Sequence, residues 1–174
     1  RKLASMFGWF KRPSIVAPIA TVSLLFAATV AEVKDSIPEF DPQAGADSSK
    51  EEIELVGHFY HLIYDSFAIA VRNAAKYADR TKPLNRKFEI VRDMGKRLVV
   101  EFSSSILPTD DPGAVSAAIE ERKQADFMDA NMYEDKSGIS KLLLLSHNQD
   151  NFLLDQYEVV GSEVRIRFIY ALEH

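Results

Sequence analysis

The sequence predicts a mainly α protein: a helical bundle of about four long helices with a small C-terminal β-hairpin. Three observations predict it. Apolar residues recur at intervals of three and four through most of the chain, and helix start and stop signals divide that pattern into segments. Only from Tyr157 onward do apolar and polar residues alternate as in a strand.

Composition limits the possibilities before any element is placed. The 174 residues suffice for one domain with a hydrophobic core, and 47% hydrophobic with 27% charged residues excludes wholesale disorder. A formal charge of -5 weighs against non-specific nucleic-acid binding by the whole surface. The absence of cysteine excludes disulfides, thiolate metal sites and a cysteine nucleophile. Arg1 to Ser5, ahead of Met6, read as cloning-derived residues. Leu172-Glu173-His174 read as the start of a histidine tag. Residues 6–35 then form a hydrophobic N-terminal helix, 36–50 a linker, and 51–171 a helical domain that ends in the hairpin.

The first element is the most apolar. From Pro13 to Ala31 there is no charge, with Lys11 and Arg12 before the run and Glu32 and Asp35 after it. A membrane-spanning helix needs roughly 20 apolar residues, so Ile15 to Ala31 sits at the lower limit. Three readings compete: a membrane anchor with its amino end in the cytoplasm, a signal peptide cut after Ala31, and a core helix of a soluble bundle. For the core helix speaks the recurrence of Ser14, Thr21, Ala28 and Asp35 at every seventh position, a small or polar stripe opposite Ile19, Val22, Phe26 and Val30. The anchor and the soluble bundle are level.

Pro38, Pro42 and Gly45 mark the linker. Ser49 with Glu52 is a capping box for a second helix, whose core face is Ile53, Val56, Tyr60, Ile63, Phe67, Ala70 and Ala74 and whose end is near Tyr77 to Asp79. After Thr81-Lys82-Pro83, the residues Leu84, Phe88, Val91, Leu98 and Phe102 predict a third helix to about Ser105, interrupted by Gly95. Asp111 as N-cap and Pro112 at the first helical position open a fourth, running to about Met132 with Val115, Ala118, Ile119, Ala125, Phe127 and Met128 inward. Leu142 to Leu145 is too short to assign, although Ser140 is placed to cap a short helix. Tyr157 to Val160, Gly161-Ser162 and Val164 to Tyr170 read as a hairpin with a type II′ turn, packed on the helices or paired with a second subunit.

Chemistry-bearing clusters are few. Glu54, His58, His61 and Asp65 are spaced by four, three and four, which on a helix puts imidazoles and carboxylates on one face as in bundle metal sites. Neither Glu-x-x-His on two helices nor His-Glu-x-x-His is present, so His58, His61 and Asp65 are weak metal candidates and no metal site is assigned. A basic stretch runs from Arg72, Lys76, Arg80 and Lys82 through Arg86, Lys87, Arg92, Lys96 and Arg97, diluted by Asp79, Glu89 and Asp93; phosphate binding competes with an ordinary solvated face. Ser103-Ser104-Ser105 lacks a nucleophile elbow, His147 sits in a polar turn, and the seven glycines are scattered singly. No catalytic residue and no cofactor is predicted.

The absence of such motifs leads to a non-enzymatic interaction or assembly protein, whose apolar N-terminal helix docks in a membrane, a partner or its own core. A protein partner or self-association is expected, and nucleic acid is not. The chain is placed at a membrane with its N-terminus cytoplasmic, or alternatively as a soluble cytoplasmic protein. Two other functions stand beside it: a metal-dependent enzyme or metal-binding bundle centred on His58, His61 and Asp65, and a helical nucleic-acid binder using Arg86 to Arg97.

Overall fold

In the computed structural model, residues 20–40, 53–55, 57–125 and 138–172 are described. In chain order their elements are β1 (Ala20–Thr21), α1 (Val22–Ser36), β2 (Glu54–Leu55), a 3-10 turn (Gly57–Phe59), α2 (Tyr60–Tyr77), β3 (Asn85–Val91), β4 (Arg97–Ser105), α3 (Pro112–Gln124), α4 (Gly138–Asn148), β5 (Phe152–Val160) and β6 (Glu163–Ala171). The strands make two antiparallel sheets, a small one of β1 and β2 and a four-stranded one ordered β3-β4-β6-β5. Helices cover one face of the larger sheet. The expected helical bundle is therefore corrected to a two-layer α/β fold.

The apolar run divides at Thr21. Its hydroxyl accepts the Leu24 N–H at 3.1 Å, so a helix begins there rather than at the start of the run. At 15 residues, α1 is about 22 Å long, short of the roughly 30 Å of a hydrocarbon core. No helix among the described residues is long and apolar enough to cross a membrane. Val22, Leu25, Phe26 and Val33 are buried, and α1 packs along α2. The Phe26 ring meets Phe67, Phe88 and Phe102 at 6.4, 6.0 and 5.6 Å, which seats the segment in the domain's main core. The membrane placement is corrected by these contacts. Residues 15–19 of the run lie outside the described residues.

The predicted third helix is a hairpin instead. Phe88 on β3 pairs with Val100 on β4, and Gly95 in the connection has φ +86, the left-handed region that glycine enters without strain. Leu84, Phe88, Leu98 and Phe102 satisfy a helical period, but Leu98, Val100 and Phe102 also alternate with Val99, Glu101 and Ser103. Valine-rich, aromatic sequence that fits both periods goes to the strand when a sheet neighbour is present, and β6 supplies it: Val100 pairs with Phe168 and Phe102 with Ile166.

The other boundaries move less. The second predicted helix begins at Tyr60; Glu54 and Leu55 belong to the small sheet, and the proposed Ser49 cap lies outside the described residues. Asp111 caps α3, accepting the Ala114 N–H at 2.9 Å with Pro112 in the first turn, but the helix ends at Gln124; Phe127, Met128 and Met132 lie outside the described residues. Ser140 falls inside the first turn of α4. β5 and β6 do form a hairpin, with Gly161 at φ +62 and no positive φ at Ser162, as a type II′ turn requires. It is half of the large sheet rather than an appendage.

Alternation assigns the two faces of that sheet. Inward, Phe102, Phe168, Phe152 and Tyr170 form a chain of rings 5.2 to 6.3 Å apart, and Phe67 of α2 closes onto it at 5.3 Å from Phe102. Outward, Arg167 bonds Glu101 at 2.8 Å and approaches Asp155 at 3.6 Å, while Arg165 lies 3.6 Å from Glu101. This pairing keeps the outer face polar and separates charges that would otherwise repel.

Candidate functional site

A cavity of about 640 Å³ opens between the sheet and three helices. It exists because one stripe of α2 is small. Ala70, Asn73, Ala74 and Tyr77 recur at three, four and seven residues and face it, and the two alanines leave volume that larger side chains would fill. The sheet contributes Phe102, Val164 and Ile166 as a floor, and α3 contributes Val115, Ile119 and Arg122. The first turn of α4, with Gly138 and Ile139, forms the remaining wall. Ile119 is the sole buried residue of α3, which fits a helix whose inner face borders a void rather than a packed layer.

Two of its polar groups are neutral and hydrogen-bonded to each other. Asn73 donates to the Tyr157 hydroxyl at 3.2 Å across the gap between α2 and β5. Burial pushes that phenol up to about 12, against the opposing pull of the Asn73 bond, so it is a neutral hydroxyl at any ordinary pH. A Cβ at Gly138 would overlap the Asn73 amide, so glycine there leaves the amide free to hold its bond to Tyr157. At the other end, Ser104 and Ser105 line the cavity where β4 finishes. The chain leaving α2 fastens that end: the Asp79 N–H donates to the Ser105 carbonyl at 2.8 Å, and Ala78 bridges Ile106. Asp79 itself is fixed by Thr81, whose N–H and hydroxyl donate to it at 3.0 and 2.6 Å; the Thr81 hydroxyl bond first, and then its N–H, hold the carboxyl below the usual range.

The sequence-predicted residues lie elsewhere. Glu54 is on β2, His58 is exposed in the 3-10 turn, and His61 and Asp65 are on α2, so the four do not share one helix. Burial raises the Asp65 carboxyl, with His61 acting in the opposite direction. Among the described residues no three His, Asp or Glu side chains come together to hold a metal ion. The basic stretch is dispersed over α2, the turn after it, β3, β4 and the β3-β4 connection. Arg86 turns inward over the Phe26 ring at 4.6 Å, Lys87 turns outward to Glu89 at 3.4 Å, and Arg97 pairs with Asp93 at 2.6 Å. Arg92 is exposed and Lys96 lies in the β3-β4 connection. None of the five lines the cavity, nor do His58, His61 and His147.

This arrangement of sheet and helices is known. The chain superposes on the mycobacterial sensor histidine kinase MprB with a TM-score of 0.54, at 9% identity over 89% of this chain and 97% of that one. It superposes on the histidine kinase domain of a blue-light activated histidine kinase from Erythrobacter litoralis with a TM-score of 0.55, at 10% identity over 98% of this chain and 74% of that one. The fold is that of histidine kinase domains. In sequence, the chain is 28% identical over 147 residues to the Detocs histidine-protein kinase DtcA of Vibrio alginolyticus. The match covers 84% of this chain and 15% of DtcA, so the chain spans less than a sixth of that protein. No family model matches the chain.

These likenesses overturn the expected non-enzymatic assembly protein, since the related sequence is a kinase and the fold is a kinase-domain fold. The helical nucleic-acid binder falls with the helix that was to carry its basic residues. The four-residue metal cluster loses the helical face on which it rested. What the sequence reading missed is Asn73 and the serines of β4. Asn73 interrupts an otherwise apolar or small stripe at Ala70, Ala74 and Tyr77, and that misplaced amide was the available signal.

Proposed function

We propose that the chain is the nucleotide-binding domain of a histidine kinase-like protein, and that the cavity between α2, β4, α3 and α4 receives the adenine nucleotide that serves as phosphoryl donor. The observation that carries this reading is the 28% identity to a histidine-protein kinase along most of the chain. The cavity supports it, being within the roughly 300–1,000 Å³ of small-molecule sites and having apolar walls with a few convergent polar groups. Asn73, Ser104 and Ser105 are suited to hydrogen-bond the edge of a purine, and Phe102, Ile139 and Ile166 to cover its faces.

No described histidine borders the cavity. On this reading the expected protein partner becomes a phosphoryl acceptor, and a nucleotide-dependent domain suits the cytoplasmic alternative. Calorimetric titration with ATP tests the reading. Saturable one-site binding that Asn73→Ala weakens at least tenfold supports it. Absence of binding to any adenine nucleotide by a folded chain refutes it.

A further inference from the structure

Resting on that reading, we infer that Tyr157 is a positioning residue, whose hydroxyl turns the Asn73 amide so that a bound adenine nucleotide meets its donor and acceptor in one fixed arrangement. Both side chains line the cavity, and they come from positions 84 residues apart, Asn73 on α2 and Tyr157 on β5. A carboxamide has two broad orientations about its last torsion, and exchanging them swaps a donor for an acceptor. An amide that faces a ligand without a second anchor therefore offers the wrong atom part of the time.

Tyr157 removes that choice. Its hydroxyl accepts an Asn73 Nδ2–H at 3.2 Å, which directs the amide nitrogen toward β5 and the oxygen away from it. The anchor is firm, because Tyr157 is buried and its strand is paired in register with β6, opposite Ile166. On the remaining side α4 begins at Gly138, where the missing Cβ leaves room for the amide to keep this orientation. Three elements thus act on one side chain: α2 carries it, β5 orients it and α4 makes space for it.

Packing alone does not call for this pair. Alanine at 73 would continue the small stripe of Ala70 and Ala74, and phenylalanine at 157 would then leave no hydroxyl to satisfy. Replacing both partners of a buried hydrogen bond by apolar groups costs little. Instead the pair stands in the cavity wall beside Ala70, Ala74, Ile139 and Ile166, where a ligand meets it among apolar surfaces.

The test is titration with ATP of the unaltered chain, Tyr157→Phe, Asn73→Ala and the double variant. Tyr157→Phe removes only the hydroxyl, and its expected affinity is about three- to tenfold weaker, the range that one hydrogen bond gives. The double variant is expected to bind no more weakly than Asn73→Ala, because Tyr157 acts only through Asn73. Unchanged affinity in Tyr157→Phe, or a further loss of about threefold or more when it is added to Asn73→Ala, overturns the inference and leaves Tyr157 a packing role. Nitrogen-15 spectra of the unaltered chain test it without any variant. The Asn73 Nδ2 protons are expected to be protected from solvent exchange both with and without ATP, and loss of that protection on adding ATP overturns the inference. Failure of the folded, unaltered chain to bind ATP overturns the nucleotide reading itself, and the inference with it.

Discussion

Replacing Gly138 by alanine puts a methyl group into the volume held by the Asn73 amide. The amide is the far end of a side chain, so it swings aside and breaks its 3.2 Å bond to Tyr157. Losing the bond costs about 1 kcal/mol, and leaving a buried hydroxyl without it adds a penalty of about the same size. Alanine's better helix propensity returns up to about 1 kcal/mol, less at the first residue of a helix. The net loss is about 1 kcal/mol, which for a chain of this length lowers Tm by roughly 2–4 °C. In an Asn73→Ala background the obstruction is gone, so the same substitution becomes neutral or stabilising. The sign change in a double-mutant cycle, read by urea unfolding, exceeds the usual additivity error of about 0.5 kcal/mol. Equal costs in both backgrounds would mean that Gly138 is not there to admit Asn73, and the packing of α4 on α2 would need another explanation.

Other outcomes follow from the same geometry. Phe26→Ala removes a ring that three other rings touch and is expected to cost about 3–5 kcal/mol in chemical denaturation; a cost under about 1 kcal/mol would return the apolar segment to the surface. The Tyr157 phenol, unperturbed at 10.0 and at about 12 when folded, holds its proton more tightly in the native state. Its contribution is therefore complete below pH 10 and falls as pH rises toward 12. Unfolding measured across that window is expected to be less pH-dependent in Tyr157→Phe. Gly161→Ala forces a side chain into φ +62 with open space around it, so only backbone strain acts. The expected loss is about 1 kcal/mol or more by thermal unfolding, and a loss under about 0.3 kcal/mol would mean that the turn relaxes to another type.

How much of this was legible in the residues differs from element to element. The Asp111-Pro112 helix start and the Gly161-Ser162 turn were readable because each depends on atoms a few residues apart: a carboxylate and the N–H three positions on, and a glycine free to take positive φ. That the apolar run has to bury much of its surface was also legible from its composition, and Val22, Leu25 and Phe26 are buried. What surrounds them was not. Phe26 meets Phe67, Phe88 and Phe102 from three other elements, and no local pattern distinguishes such rings from lipid. Likewise, Leu98 to Phe102 satisfies both helical and strand periods, and the partner that decides between them, Ile166 to Tyr170, lies over sixty residues away. The cavity is the extreme case. Asn73, Ser104, Gly138 and Tyr157 carry no shared motif, and they become a site only because an antiparallel sheet and three helices bring them to one void. Local chemistry determined where helices cap and turns reverse; long-range pairing determined that the chain is a sheet under helices, and with it the site.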